Sequence, residues 1–333
     1  MLRFLHVLKI KMRLKYYSIL TGLFAIIFII SCSSGSKKND GAPGEEKNKS
    51  YRNAAFDKVN GIRFYEAKRR FKNGLSFNSF GFQHEPTWIV EFKAPDTMLA
   101  YSPEKQGMEA FYLQYDHGQV YNFAREFFRA ISITKDSLVL QRLQVNGIVI
   151  ADNDDVRSDV YCTFYSKDYI ENKLKTTIGE LQKPTKADTT FIKTLAAKTN
   201  KDPGNADLAF AARQPAVFLP NSKNVSVEKI STIDELNKRS AAVDYLYPLY
   251  RMQINKSYKE FNYSFSVIVD SKGKLHVNSV TGVMKEDVAP RKRLLQGITD
   301  VYLQNLFIIK PGTTLGIPHS SEVNLVLIGK TGS

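Results

Sequence analysis

The chain has 333 residues, of which 43% are apolar and 12% aromatic, and its formal net charge is +14. That length accommodates about two domains at ~100–200 residues each, and an apolar content of this size excludes an intrinsically disordered protein. Residues 1 to 31 hold Arg3, Lys9, Lys11, Arg13 and Lys15 with no acid, so they contribute +5 and leave +9 of the +14 on the remainder.

The first 31 residues read as a secretory signal. A basic stretch ending at Lys15 precedes the apolar run Ile19 to Ile30. That run is shorter than the ~20 residues a bilayer span needs and matches an h-region of ~7–15. Met12 is an alternative start, because "MRLKYYSILTGLFAIIFIISC" is a complete signal by itself. The following "IISC" at 29 to 32 resembles the lipobox of bacterial lipoproteins. The resemblance implies a diacylglycerol on the Cys32 thiol, cleavage before Cys32 and acylation of the new amino group. Several acyl chains anchor firmly, at ~0.8 kcal/mol per buried CH₂.

Residues 32 to 60 are expected to be a tether, rich in Ser, Gly, Lys, Asn and Glu. At roughly 5–6 Å × √n, ~25 such residues hold a body a few nanometres from a membrane. Ser, Gly and Lys follow Cys32 instead of an acidic cluster, which favours a lipoprotein of the outer membrane facing the periplasm.

Residues 61 to 178 are expected to form a β-rich antiparallel domain. "TWIVEFKA" places Trp88, Val90 and Phe92 on one face, and "EAFYLQYD" places Phe111, Leu113 and Tyr115 on one face before a "DHG" turn. "REFFRAISIT", "DSLVLQRLQVNGIVI" and "DVYCTFYS" add further strands, and the spacing suggests an antiparallel meander. Part of it resembles lipocalin-type calycin repeats, which would imply a small-ligand cavity; an ordinary sandwich or partly open sheet remains equally open. Cys162, in an alternating aromatic run, reads as a buried small hydrophobe.

Residues 179 to 240 are expected to be a connector with helical and extended segments. "DPGN" at 202 to 205 is a turn. "STIDELNKRSAAVDYLYPLY" opens like a helix capped by Ser231 or Thr232, with Glu235 completing a capping box.

From 241 to 333 the expected order is strand, turn, strand, helix, Pro-Gly loop, strand. "YSFSVIVDSKGKLHVNSV" is a hairpin whose Gly273 takes positive φ. Leu294, Leu295, Ile298, Val301, Tyr302 and Asn305 recur at helical spacing, and "SEVNLVLIGK" closes the chain's last strand. With "NLFIIKPGTTLGIP" and "VNLVLIG", this stretch resembles the carboxy-terminal domain of the TonB family. The overall expectation is thus an α+β protein: a β-rich antiparallel domain, then a small strand-strand-helix-strand domain. The resemblance implies an edge strand that pairs with an extended segment of an outer-membrane transporter or another envelope protein. That edge is assigned to Val323, Asn324, Leu325, Val326 and Leu327. A TonB energiser also needs a transmembrane helix and a long Pro-rich spacer. This chain carries a lipoprotein-type leader instead, so a borrowed binding module is expected and not energy transduction.

The chain contains no G-x-S-x-G, H-E-x-x-H, Walker A or Cys-x-x-Cys motif. His84, His117, His276 and His319 are scattered and read as loop or face histidines. "ADNDDVRSD" (151 to 159) lacks the Gly and Glu of a calcium loop. No catalysis, cofactor, metal or nucleic-acid partner is therefore expected. The function expected is a membrane-anchored protein-interaction module, with a periplasmic small-ligand carrier as the alternative.

Overall fold

The computed structural model describes residues 55 to 332, except 147, 148, 151 to 157, 232, 235 to 238 and 241. The described residues belong to one compact unit. Its first half is a nine-stranded sheet in which every pairing is antiparallel. The strands are β1 (Arg63–Phe71), β2 (Ile89–Lys93), β3 (Thr97–Ser102), β4 (Gly107–Tyr112), β5 (Gln114–His117), β6 (Val120–Phe123), β7 (Glu126–Ile133), β8 (Ser137–Leu143) and β9 (Val160–Ser166). Their order is β4-β3-β2-β1-β9-β8-β7-β6-β5. The two ends of that order, β4 and β5, adjoin in sequence and are separated by Leu113 alone, whose N–H extends the β3–β4 ladder by one bond to the Asp96 carbonyl. The meander curls into a nearly closed, barrel-like sheet whose two end strands are consecutive in the chain but not paired with each other.

Period-2 alternation explains what fills this barrel. Phe64, Val90, Phe92, Met98, Phe123, Leu138, Leu140, Cys162 and Phe164 all turn inward and are buried. Phe92 stacks on Phe56 at 4.2 Å, and Phe123 stacks on Phe128 at 4.6 Å. Each such ring contributes about 1.5–3 kcal/mol by leaving water. Phe111 is 36% exposed and does not join Leu113 in the core; it lies on β4, the end strand of the sheet order.

Residues 179 to 240 supply parts of both neighbours. Helix α1 (Ile178–Gln182) lies on β1, and α2 (Lys186–Lys201) begins with a capping box between Thr185 and Asp188. Asp188 also accepts from Arg70 Nη1 (2.8 Å) and from Ser76 N (2.8 Å) and Oγ (3.0 Å), which ties α2 to the barrel. Ile192 and Phe210 pack with Phe77 in a separate small core. The extended pieces β10 (Val217–Pro220) and β11 (Val225–Ile230) join the second half.

That half is a five-stranded sheet of β11, β12 (Leu249–Ser257), β13 (Phe261–Val269), β14 (Leu275–Val280) and a long last strand, Ser321–Thr331, separated from β14 by β15 (Phe307–Lys310). With the last strand as β16, the order is β11-β12-β16-β13-β14, parallel between β12 and β16 and antiparallel elsewhere. Residues 233 to 234 pair with 239 to 240, and α3 (Val243–Leu246) is a single turn, so the helix expected to open at Ser231 does not form there. Thr232 and Glu235, its proposed capping pair, lie outside the described residues. The reason is geometric. Ile230 is paired directly with Leu249, and a helix rising about 1.5 Å per residue would carry those ends apart.

Helix α4 (Val288–Ile298) runs into a π-helical turn at Thr299–Leu303. Its buried line is Leu295, Thr299 and Leu303, four residues apart. Leu294, Val301 and Tyr302, which share the helical spacing with Leu295, are 50%, 60% and 54% exposed; the helix is rotated so that a second apolar stripe faces outward.

Candidate interaction site

The β13–β14 hairpin is built around Asp270. Its carboxylate Oδ1 accepts from Lys272 N (2.8 Å) and Lys274 N (2.9 Å), and its carbonyl accepts from Gly273 N (3.0 Å). Gly273 has φ +82°, and a Cβ there would stand 2.5 Å from the Ile309 carbonyl oxygen. Only glycine meets both conditions.

The bond from Asp270 N to Lys274 O fixes which groups of β14 point away from β13. Antiparallel pairs alternate between bonded and unbonded, so Leu275 and Val277 turn their backbone groups outward. Gln296 of α4 meets them there. Its Oε1 accepts from Val277 N (2.8 Å), and its Nε2 donates to Leu275 O (3.2 Å). One carboxamide thus mimics a neighbouring strand at two of the outward backbone groups of this edge.

The opposite edge differs. The bond from Asn255 N to Asn224 O sets the β11–β12 register, which leaves the N–H and C=O of Val227 and Lys229 facing outward. Among the described residues no backbone group pairs with them. Ser226 and Glu228 are exposed on the outer face. Glu228 bonds Arg251 (3.0 Å) and Lys229 bonds Asp244 (2.5 Å), so both side chains are held.

The residues assigned to the edge, Val323, Asn324, Leu325, Val326 and Leu327, are inside the sheet. Each pairs with β13, and Asn324 to Leu327 also pair with β12 on the other side. Val323, Leu325 and Leu327 are fully buried. The correction has a simple cause: β12, four strands' worth of sequence earlier, runs parallel to β16 and covers the side that a three-stranded sheet would leave open. The exposed edge belongs to β11, a segment whose short run "VSVEKI" carries no sign of which strand will lie beside it.

The barrel interior holds one charged pair that period-2 reading misses. A register shift between Glu66 and Lys68 turns both Glu66 and Arg69 inward, although residues three apart on a regular strand face opposite ways. Glu66 accepts from Arg69 Nε (2.7 Å) and Nη2 (3.0 Å), and from the backbone of Thr87 (2.8 Å) and Trp88 (3.0 Å). Trp88 lies 5.3 Å from the Arg69 guanidinium. Burial alone would lower the Arg69 pKa, but Glu66 more than offsets it and the net direction is upward. The neighbouring Cys162 thiol is pushed up, first by burial and then by Glu66, so it is not a nucleophile at neutral pH.

His84 and His319 are buried and not surface residues; His117 is exposed and His276 half-buried beside Asp270. His319 stacks on Phe210 at 3.6 Å and bonds Thr314 Oγ1 at 3.0 Å. Among the described residues no group of three or more His, Cys, Asp or Glu could hold a metal, and no helix is long and apolar enough to cross a membrane. Cys32 and most of the 151 to 159 loop lie outside the described residues. Comparisons with family models, with curated proteins and with solved structures found no match.

Proposed function

We propose that this chain is a lipid-anchored, non-enzymatic protein of the bacterial envelope, held by Cys32 in the outer membrane on its periplasmic side. Its carboxy-terminal domain docks an extended segment of another envelope protein, in the manner the TonB resemblance implies, by adding a strand to β11. The observation that carries this reading is the unequal treatment of the two sheet edges. Gln296 takes up the Val277 N–H and the Leu275 C=O of β14, while Val227 and Lys229 on β11 have no backbone partner among the described residues. Unpaired edge groups are what strand addition uses. The alternative, a small-ligand carrier, is weakened by the aromatic side chains that fill the barrel.

Two variants test it. Cys32→Ser should abolish metabolic labelling with an alkyne fatty acid and release the chain from the membrane fraction; unchanged labelling would refute the anchor. Val227→Pro removes an outward N–H without touching the β11–β12 bonds, an edge position where proline is tolerated. It should reduce the size of the detergent-extracted assembly while leaving circular dichroism unchanged. An assembly of unaltered size would refute docking at β11.

A further inference from the structure

We propose that a groove at the far end of the five-stranded sheet, between the β12–β13 loop and α4, seats the domain on an anionic membrane surface. The groove encloses about 410 Å³ and is lined by Tyr258, Phe261, Tyr263, Leu294, Ile298 and Tyr302. It takes up the outward apolar stripe of α4, which the core does not use.

Its construction is specific. The β12 ladder is interrupted between Asn255 and Ser257, and Lys256 adopts φ +60°, a strained conformation for a residue with a side chain. This interruption throws Tyr258 outward, where it is 84% exposed. Phe261 lies flat against Gly329, where a Cβ would come within 2.3 Å of the ring, and stacks on Tyr263 at 5.2 Å. Arg291 sits 5.1 Å over Tyr263, and Lys259 sits 5.3 Å from Tyr258. Lys256 joins the groove wall, and Lys292, Arg293 and Lys330 are exposed on the flanking segments. The loop carries one acid, Glu260.

Charge and chemistry select the occupant. Tyrosines with apolar bodies and polar tips, set among lysines and arginines, suit the headgroup zone of a bilayer. Clustered cations are drawn to anionic lipid. A defined peptide would call for free, convergent polar groups, whereas Ser257 Oγ already donates to Lys259 O at 2.6 Å. The inference stands on the groove and does not depend on the lipidation of Cys32 or on docking at β11.

The test uses the full chain with Cys32→Ser and Tyr258→Cys, labelled at position 258 with an environment-sensitive fluorophore; Cys162 is buried and does not compete. Because the probe reports its own surroundings, attachment elsewhere along the chain does not move it. Vesicles of phosphatidylcholine with phosphatidylglycerol should shift its emission to the blue, phosphatidylcholine alone should not, and added salt should reverse the shift. At about fivefold per cation, Lys256→Gln with Lys259→Gln and Arg291→Gln should weaken the response on the order of a hundredfold. Leu294→Ser with Tyr302→Ser, which spares every cation, should also weaken it; circular dichroism and the unfolding midpoint confirm that each variant is folded. Equal emission with both vesicle types would overturn the proposal. So would a shift indifferent to the neutralised cations, a shift produced by poly-glutamate but not by vesicles, or one produced by raising protein concentration alone.

Discussion

Gln296 and Val277 lie 19 residues apart, and the 2.8 Å bond between the Gln296 carboxamide and the Val277 N–H ends the sheet at β14. Removing it leaves a buried donor unsatisfied, at a cost of about 1–3 kcal/mol. Gln296→Ala should therefore lower the unfolding free energy by that amount, read as a lower urea midpoint at unchanged m. It should also expose a second strand edge, detectable as concentration-dependent self-association in light scattering. A monomeric variant of unchanged stability would contradict this role.

Gly273 tests the hairpin. Alanine there must adopt φ +82° and place a methyl group 2.5 Å from the Ile309 carbonyl. Gly273→Ala should destabilise by about 1–3 kcal/mol, whereas Gly118→Ala, at φ +51° with open space around it, should cost less. Equal losses would show that conformation alone matters and that the contact with Ile309 does not.

Glu66 and Arg69 form a buried pair inside the barrel, with Glu66 fully inaccessible. Breaking one partner strands the other's charge, at about 3–5 kcal/mol. Arg69→Met alone should be strongly destabilising, and Glu66→Gln with Arg69→Met should recover part of the loss. A double-mutant cycle in urea measures the coupling. Additive effects would mean that the pair is not coupled.

Stability should fall in mild acid. Burial lowers His84, helped by Arg69 and Arg142, to about 4, and burial lowers His319 to about 4. In the unfolded chain both titrate near 6.5. Between pH 6.5 and 4 the unfolded state therefore binds more protons, so the stabilisation is complete above pH 6.5 and is lost as pH falls toward 4. At pH 5 each histidine has given up about 2 kcal/mol. Urea midpoints from pH 7.5 to 5 should drop, and His319→Gln should halve the slope. A flat profile would contradict the burial of both rings.

Local patterns were legible and distant partners were not. Alternation located most strands of the barrel, and "DSKG" located the hairpin, because turn chemistry and period-2 burial are properties of neighbouring residues. The near-closure of the barrel was not legible, since the strand order that brings β4 and β5 to its two ends rests on pairings such as β1 with β9, far apart in the chain. Nor was the inward turn of Glu66 and Arg69, which needs a register shift. The apolar stripe at Leu294 and Tyr302 was visible, but its direction was not, because the π-helical turn and Leu295 decide which side packs. The edge was misassigned for the same reason: β16 is a good strand, and which strands flank it is settled by β12, some seventy residues earlier.

The most direct test of docking is photocrosslinking in the native cell with mass-spectrometric identification, with the probe placed in turn at Glu228 on β11, Asn278 on β14 and Asn324 on β16. The account predicts a discrete adduct to one envelope protein from Glu228, lost in Val227→Pro, and none from Asn278 or Asn324. An adduct from Asn278 with none from Glu228, or no adduct from a folded and lipidated chain, would contradict it.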